Sequence, residues 1–267
     1  MAGNIVISQI NGGAIGVKNV IINGNFQINQ RGVSGTVTLA AGAYGHDRFK
    51  AGASGCTYTF ATSNNVTTLT ISAGSLIQVV EGLNLYTDTY TLSWTGTAQG
   101  KIGAGSYAGS GVTGSVTGGT NLNIEFNTGT LSLVQLEAGS VASPFERRDY
   151  GRELIMCQRY YQRFGYDSIT ARIGTGAWAS STNAYISMPL LVQMRSTPTF
   201  TSPNRGRVLL EGVNWYNCTV AALTGEGSPT FVTVSLNVTS ASAVAGQVAA
   251  WGGGNALAVD AQFSAEL

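Results

Sequence analysis

The sequence has little charge. Asp, Glu, Lys and Arg make up 10% of its 267 residues, against about 25% in an average globular domain. The net charge is +1, and no basic patch or acidic tail is present, which argues against nucleic acid and acidic lipid as partners. Gly, Ser, Thr and Asn take the positions that Lys and Glu would fill. Such a neutral polar surface suits extracellular or particle-borne β-structure and contact with glycans.

Cysteine and histidine are also scarce. The three cysteines, Cys56, Cys157 and Cys218, are far apart and odd in number, and His46 is the single histidine. This pattern argues against a disulfide framework and predicts folding in a reducing compartment, with the cysteines as small buried side chains. No metal-ligand spacing is present, so we expect no metal and no cofactor.

Long apolar runs are missing as well. No window approaches the roughly 20 apolar residues of a membrane span, and the first 18 residues have no signal-peptide pattern. We therefore expect synthesis in the cytoplasm and no membrane insertion. Viral particle proteins, released by lysis, combine cytoplasmic synthesis with an extracellular type of surface.

What the sequence has in abundance is β-pattern. Alternating apolar residues predict short strands from about Asn19 to Gly139 and again from Gly165 onward. The clearest runs are Thr67-Leu69-Ile71, Tyr90-Leu92-Trp94, Leu122-Ile124-Phe126 and Val232-Val234-Leu236-Val238. In "TLSLVQLE" (130–137) the alternation changes parity at Val134, which indicates a bulge or a strand end buried on both faces. Turn residues at short intervals favour an antiparallel sandwich or jelly roll.

The centre of the chain has a different pattern. Ser143-Pro144-Phe145-Glu146 has the form of a capping box with proline at the first helical position. Five residues then recur at steps of four, three, four and three, which is heptad spacing: Tyr150, Leu154, Cys157, Tyr161 and Phe164. Since fewer than three heptads cannot form a coiled coil alone, this apolar stripe must be covered, either by equivalent helices of an oligomer or by the flanking domains of a monomer.

These patterns divide the chain into four segments. We predict an N-terminal arm at 1–18 that orders against another surface, an antiparallel β-sandwich or jelly roll at 19–140, a linker helix at 141–165 and a C-terminal β-sandwich domain at 166–267. The fold class is therefore predicted as mainly all-β, with one short central helix.

The sequence offers no convincing catalytic group. His46-Asp47-Arg48 is the most enzyme-like triplet, but no nucleophile is indicated for it. A structural hydrogen bond of His46, or a salt bridge from Asp47 to Arg48, is the simpler interpretation. The remaining carboxylates are isolated and have no glycosidase context. We predict no catalytic residues and no enzymatic activity.

Glycan binding is more plausible, because sugars stack on exposed aromatic rings and form hydrogen bonds with amides and guanidinium groups. The C-terminal segment contains aromatic candidates for such a platform: Trp178, Tyr185, Trp215, Tyr216 and Trp251. Any of them could instead belong to the core. In "NWYN" (214–217), neighbouring side chains of a strand point to opposite faces, so one of Trp215 and Tyr216 must face outward from its sheet.

Several motifs also resemble a known family. "NVIINGNFQINQRG" (19–32), "YGHDRF" (44–49) and "LSLVQLEAGSVASPFERRDYGRELIMCQRYYQ" (131–162) are similar to a module of bacteriophage tail-fibre and tail-associated proteins. Phe49 stands where that module usually has Trp. "MPLLVQMRSTPTF" (188–200) and the terminal "SAEL" resemble the region downstream of the module in such proteins.

This resemblance implies a virion protein with a carbohydrate-binding-like jelly roll at 19–140, a linking helix and a distal β domain, and it favours a homotrimer around the 150–164 stripe. Our first hypothesis is therefore a tail-fibre or receptor-binding protein whose 166–267 domain is the receptor-binding tip and attaches to host surface polysaccharide. The N-terminal arm would dock on other tail or baseplate proteins. The resemblance transfers no catalytic residues. Two alternatives stay open, namely a non-adhesive baseplate or head-decoration protein and a glycan depolymerase.

Overall fold

The computed structural model describes residues 18–210, 214–239, 241–254 and 256–267. The predicted attachment arm therefore lies outside the described residues, apart from Lys18. Strands account for 53% of the structure and helix for 5%, which confirms a mainly all-β fold. The chain forms two compact units. In the part of the chain described, no helix is long and apolar enough to span a membrane.

The first unit comprises residues 18–27, Val33–Gly45 and Phe49–Asp149. Its strands are β1 (Val37–Leu39), β2 (Phe49–Ser63), β3 (Val66–Val80), β4 (Asp88–Thr95), β5 (Gly100–Ile102), β6 (Val112–Val116), β7 (Leu122–Phe126) and β8 (Gly129–Ala138), with a 3-10 turn at Gly82–Asn84. They form one antiparallel sheet with the main order β1-β2-β3-β8-β4-β6, and β7 pairs with both β3 and β5.

The long hairpin of β2 and β3 lets this sheet bend around its own core. Its register shifts between Ala51 and Cys56, where Gly74 lies opposite Cys56. Gly74 has a φ of +71°, and a Cβ there would lie 2.0 Å from the carbonyl oxygen of Gly55. Only glycine fits this position without a backbone shift. Beyond the bend, the two halves of β3 pair with different strands, β8 and β7, which gives a sandwich-like arrangement.

The predicted inward faces of the first unit are confirmed. Leu69, Leu92 and Ile124 are fully buried in one cluster with their alternating neighbours. The parity change in β8 is a bulge, which was one of the two predicted possibilities. Leu133 has a φ of +50°, and the pairing of β4 with β8 skips from Gln135 to Ser132 at that point.

The predicted capping box at Ser143–Glu146 is wrong, because residues 143–149 form no helix. The hydroxyl of Ser143 instead donates to Glu137 Oε2 (2.6 Å), and Glu146 Oε2 accepts from the backbone N–H of Asn19 (2.7 Å). Arg148 Nη1 donates to the carbonyl of Ile21 (2.9 Å). Part of the charge concentrated near the middle of the sequence thus fastens this segment to the first unit.

The second unit comprises Ile28–Gly32, His46–Arg48 and Tyr150–Leu267. Its elements are α1 (Tyr150–Gln158), β9 (Tyr161–Ser168), β10 (Arg172–Trp178), β11 (Asn183–Pro189), β12 (Thr199–Thr201), β13 (Arg207–Leu210), β14 (Asn214–Gly227), β15 (Phe231–Val238), β16 (Val248–Gly252) and β17 (Val259–Ser264). Six strands close a barrel in the order β10-β11-β15-β14-β13-β16, and β12, β17 and β9 form a second sheet. This barrel corrects the predicted sandwich in the C-terminal segment.

The core of the second unit agrees with the predicted alternation. Val232, Val234 and Leu236 are completely buried, as are Ala261 and Phe263 of β17. Because β17 pairs with both β9 and β12, the residues just before the C-terminus are held within a sheet, as their strand pattern indicates.

The linker helix is shorter than predicted. It ends at Gln158, and the backbone N–H of Tyr160 closes a tight turn onto the carbonyl of Cys157 (2.9 Å). Tyr161 and Phe164 therefore lie on strand β9 and not on a helix.

The apolar stripe predicted as an oligomer interface is consequently not one surface. Cys157 and Tyr161 are buried within the second unit, and Phe164 packs against its core. Leu154 is half-buried, and Tyr150 is 59% exposed. A continuous five-residue interface is therefore wrong, and Tyr150 is the member of the stripe most available to another molecule.

The predicted domain limits also need correction. The division falls between Asp149 and Tyr150, so the predicted 141–165 linker is split between the two units. The second unit also includes two short pieces from early in the sequence, Ile28–Gly32 and His46–Arg48. No continuous cut of the sequence reproduces this arrangement.

Candidate functional site

The structure separates the five aromatic candidates. Trp178 and Trp251 are 1% and 0% exposed, so they belong to the core of the barrel, and the prediction that they form a ligand platform is wrong. Tyr185 is 46% exposed on β11. Trp215 and Tyr216 are both half-buried on β14.

Trp215 and Tyr216 point to opposite faces of the β13–β14 pair. Tyr216 lies opposite Val208, which is fully buried, and its ring packs edge-on against Trp178 at 5.9 Å between centroids. Asn217 lies opposite Arg207. Since Trp215 is two residues from Asn217, it shares the outer face with Asn217 and Arg207. The prediction that one of the two adjacent aromatics faces outward is confirmed, and it is Trp215.

A shallow groove of about 250 Å³ lies at this position. It is lined by Arg207, Trp215, Tyr216, Asn217, Val238 and Thr239. Drug-sized ligands occupy sites of about 300–1,000 Å³, so the groove suits a single ring of a longer chain that lies across the surface. Tyr185 is not part of the lining, so the structure does not bring it into this site.

Arg207 fixes the geometry of the groove. Its Nε donates to Asn217 Oδ1 (2.9 Å), and its Nη2 donates to the carbonyl of Trp215 (2.9 Å). Because the Asn217 amide oxygen is occupied, its NH₂ group remains as a hydrogen-bond donor on an exposed side chain. One side of the Trp215 indole lies near Gly254, where a Cβ would be 3.7 Å from the ring.

The sequence contained a signal for the aromatic part of this site but none for Arg207. The "NWYN" pattern showed that an aromatic side chain must point outward. The position of Arg207 opposite Asn217 depends on strand register, which the sequence of β13 does not specify.

A larger cleft of about 430 Å³ lies in the first unit. Its lining consists of small, aliphatic and hydroxyl or amide residues: Ile102, Gly103, Ala104, Gly105, Gly114, Ser115, Val116, Thr117, Thr120, Asn121 and Leu122. It contains no aromatic ring and no ionisable side chain, so it offers neither stacking nor charge recognition. The smaller groove is therefore the better candidate for a functional site.

The motif residues of the early segments converge on a buried cluster within the second unit. Asp47 accepts hydrogen bonds from the backbone N–H and the side-chain Nε2 of Gln30 (2.6 and 2.8 Å). Arg31 lies 3.6 Å from Asp47 and 3.2 Å from Glu266. Arg48 forms a second ion pair with Glu266. A salt bridge between Asp47 and Arg48 was one of the two predicted interpretations of this triplet, and the structure gives Asp47 an ion pair with Arg31 and Arg48 one with Glu266.

Aromatic rings cover the arginines of this cluster. The guanidinium of Arg48 lies 3.5 Å from the ring centroid of Tyr160, and that of Arg31 lies 3.8 Å from the centroid of Tyr161. Such contacts stabilise a buried cation. Arg163 extends the cluster through a two-point ion pair with Asp260 (2.8 and 3.0 Å). These charges hold the second unit together and are covered from solvent, so the cluster is structural.

His46 is 1% exposed, and burial lowers its pKa from 6.5 to about 4. The imidazole is therefore neutral at pH 7 and inaccessible to a substrate.

Among the described residues, no group of three or more His, Cys, Asp or Glu side chains converges to hold a metal ion.

The buried His46 gives the second unit a pH-dependent stability. The unfolded chain takes up a proton on His46 below about pH 6.5, whereas the folded chain does so only near pH 4. Stability is thus fully present well above pH 6.5 and is lost as the pH falls, by about 2 kcal/mol between pH 7.5 and 5. We expect urea midpoints to fall accordingly over this range.

The comparison is with His46→Asn, whose side chain cannot titrate. Its urea midpoint should depend less on pH than that of the unmodified chain, whatever the substitution does to stability at pH 7. Burial raises the pKa of Asp47, so its protonation acts in the opposite direction and limits the loss at lower pH. Equal pH slopes for the two proteins would contradict the assignment.

Comparisons with protein-family models, with curated proteins and with solved structures returned no match for this chain. The groove and its chemistry therefore carry the functional argument.

Proposed function

We propose that this chain is a bacteriophage tail-fibre or receptor-binding protein that attaches the virion to glycans on the host surface. The observation that carries the proposal is the outward-facing Trp215, held beside Arg207 and Asn217 in a groove the size of one sugar ring. An indole face packs on the apolar face of a sugar, and amide and guanidinium donors pair with its hydroxyls.

The resemblance of the 19–32, 44–49 and 131–162 segments to tail-fibre modules supports the same proposal. So does the abundance of Gly, Ser, Thr and Asn in the sequence, which suits contact with a hydroxyl-rich partner. In this proposal the chain acts in the virion tail, assembles as a homotrimer and contacts tail or baseplate proteins through its N-terminal segment. One groove binds weakly, and linked copies raise the avidity by about 10²–10⁴-fold.

The test is binding of the purified full chain to a panel of immobilised bacterial surface polysaccharides. We expect binding to at least one of them, and we expect Trp215→Ala to weaken it by about tenfold or more, since truncation of a central aromatic anchor commonly costs over about 1.4 kcal/mol. The matched control is Tyr185→Ala, which removes an exposed aromatic ring from the same barrel outside the groove and should leave binding unchanged.

Other outcomes favour the alternatives. Absence of binding to every polysaccharide of the panel would favour a non-adhesive baseplate or head-decoration protein. Release of oligosaccharide from a bound polysaccharide would favour a depolymerase. Sedimentation of the intact chain tests the trimer separately, because a single-copy species at micromolar concentration contradicts it.

A further inference from the structure

The outer face of the barrel carries a row of residues across four strands. Strand pairing places Arg172 of β10 beside Gly252 of β16, Gly252 beside Arg207 of β13, and Arg207 beside Asn217 of β14. Residues paired in this way project to the same face of a sheet. The two arginines are thus two strand spacings apart, or about 10 Å, and a Cβ at Gly252 between them would lie 2.4 Å from the carbonyl oxygen of Ala171.

Trp215 links the two arginines. It lies two residues from Asn217 on the same face of β14, and the guanidinium of Arg172 is 5.7 Å from the centroid of its indole ring. Arg172 thus reaches over the ring that we propose as the sugar platform, while Arg207 lines the same groove as Asn217.

No carboxylate among the described side chains neutralises the charge of these arginines. None of the ion pairs between described side chains involves Arg172 or Arg207, in contrast to the buried arginines of the same unit. In addition, Arg207 Nη1 has no acceptor among the described residues. A guanidinium fixed in place without a carboxylate favours an anionic ligand.

The neutral groups of the site are donors too. Asn217 has its oxygen occupied by Arg207 and presents its NH₂ group, and the indole N–H of Trp215 is also a donor. A donor-rich, positively charged groove complements a ligand that is rich in acceptors and negatively charged.

We propose that the groove recognises an acidic sugar, whose carboxylate or phosphate pairs with Arg172 and Arg207 while its ring stacks on Trp215. This inference rests on the proposed glycan-binding function and narrows it to one class of sugar. A carboxylate-bearing sugar and a phosphorylated sugar share this chemistry, and the experiment distinguishes them.

The test starts from a surface polysaccharide that the full chain binds in the panel. The same material is assayed untreated, after chemical reduction of its carboxyl groups to alcohols, and after removal of its phosphate groups. We expect one of the two treatments to weaken binding by about tenfold or more, the scale of one lost charged hydrogen bond. The treatment that does so identifies the anionic group. Binding should also weaken as NaCl is raised from about 0.05 to 0.5 M.

The protein side of the test uses three variants with the same change in charge. Arg172→Gln and Arg207→Gln should each weaken binding to the untreated polysaccharide about tenfold and have little effect on the treated form that has lost its anion. Arg147→Gln, an exposed arginine of the first unit, is the control and should bind normally. Arg172 is exposed, so its variant stays informative even if Arg207→Gln disturbs the barrel.

The outcomes separate the two proposals. Unchanged binding after both treatments, with sensitivity to Trp215→Ala retained, overturns the acidic-sugar inference and leaves the glycan-binding proposal standing. Absence of binding to every polysaccharide removes both.

Discussion

A fragment that begins at Tyr150 is expected not to fold, although it contains α1 and all nine strands of the second unit. The reason is the loss of Ile28–Gly32 and His46–Arg48, which belong to this unit. Without them Glu266, whose side chain is 5% exposed, loses both of its arginine partners. An unpaired buried charge costs about 3–5 kcal/mol, which is much of the roughly 5–15 kcal/mol that stabilises a typical domain.

The same deletion removes cation–π contacts and a hydrogen bond from two buried tyrosines. Tyr160 and Tyr161 lose the guanidinium groups of Arg48 and Arg31 from their ring faces, and the carbonyl of Tyr161 loses the hydrogen bond from Gln30 (3.0 Å). These losses add to the charge effect, so we expect a collapsed or aggregated fragment and no cooperative transition.

Near-ultraviolet circular dichroism is a suitable measurement, because Trp178, Trp215 and Trp251 all lie in the second unit. The fragment should show no fixed aromatic signal, and a synthetic peptide covering residues 26–50 should restore part of it. A peptide with Arg31→Ala and Arg48→Ala is the control and should not. A cooperative thermal transition of the fragment alone, at the midpoint of the full chain, would falsify this account.

The second unit depends on segments that are distant in the sequence, and this explains which parts of the fold could be predicted from local patterns. Strand faces such as Leu69, Leu92 and Val234 were predictable because each depends only on local alternation and the burial of one face. The bulge at Leu133 was one of two predicted possibilities for the same reason, since a change of parity must be absorbed within its own strand or by burial of both faces.

Features that depend on distant partners were not predictable. Heptad spacing continues through Tyr161 and Phe164, but the pairing of β9 with β17 gives that segment an extended backbone conformation. Ser143 and Glu146 matched a helix cap, yet Glu137 and the N–H of Asn19 supply better-placed partners. In each case a tertiary contact overrides a local preference.

In the candidate site, too, local features were predictable and features that depend on distant strands were not. An outward aromatic ring in "NWYN" was predictable from the alternation of one strand. The burial of Trp178 and Trp251 was not, because it depends on closure of a barrel from six strands. The position of Arg207 beside Asn217 depends on the register of β13 against β14, which no short motif encodes.

The second large effect is expected at the ion pair of Arg48 and Glu266. Arg48 is 1% exposed and lies over the ring of Tyr160, so Arg48→Met removes one partner of a buried pair. We expect this change to lower the free energy of unfolding of the second unit by about 3–5 kcal/mol. Glu266→Gln should also destabilise, because it leaves the positive charges of Arg31 and Arg48 close together without their shared carboxylate.

The decisive comparison is the double variant Arg48→Met with Glu266→Gln, measured by urea denaturation. If the two residues stabilise the fold chiefly through each other, the double change removes both charges together and costs less than the sum of the single changes, by about 1–3 kcal/mol. Arg205→Met, which changes an exposed arginine of the same unit, should stay within about 0.5 kcal/mol of the unmodified chain. Strictly additive single effects would show instead that Arg48 acts through its packing on Tyr160, and that the charge of Glu266 is satisfied by Arg31 alone.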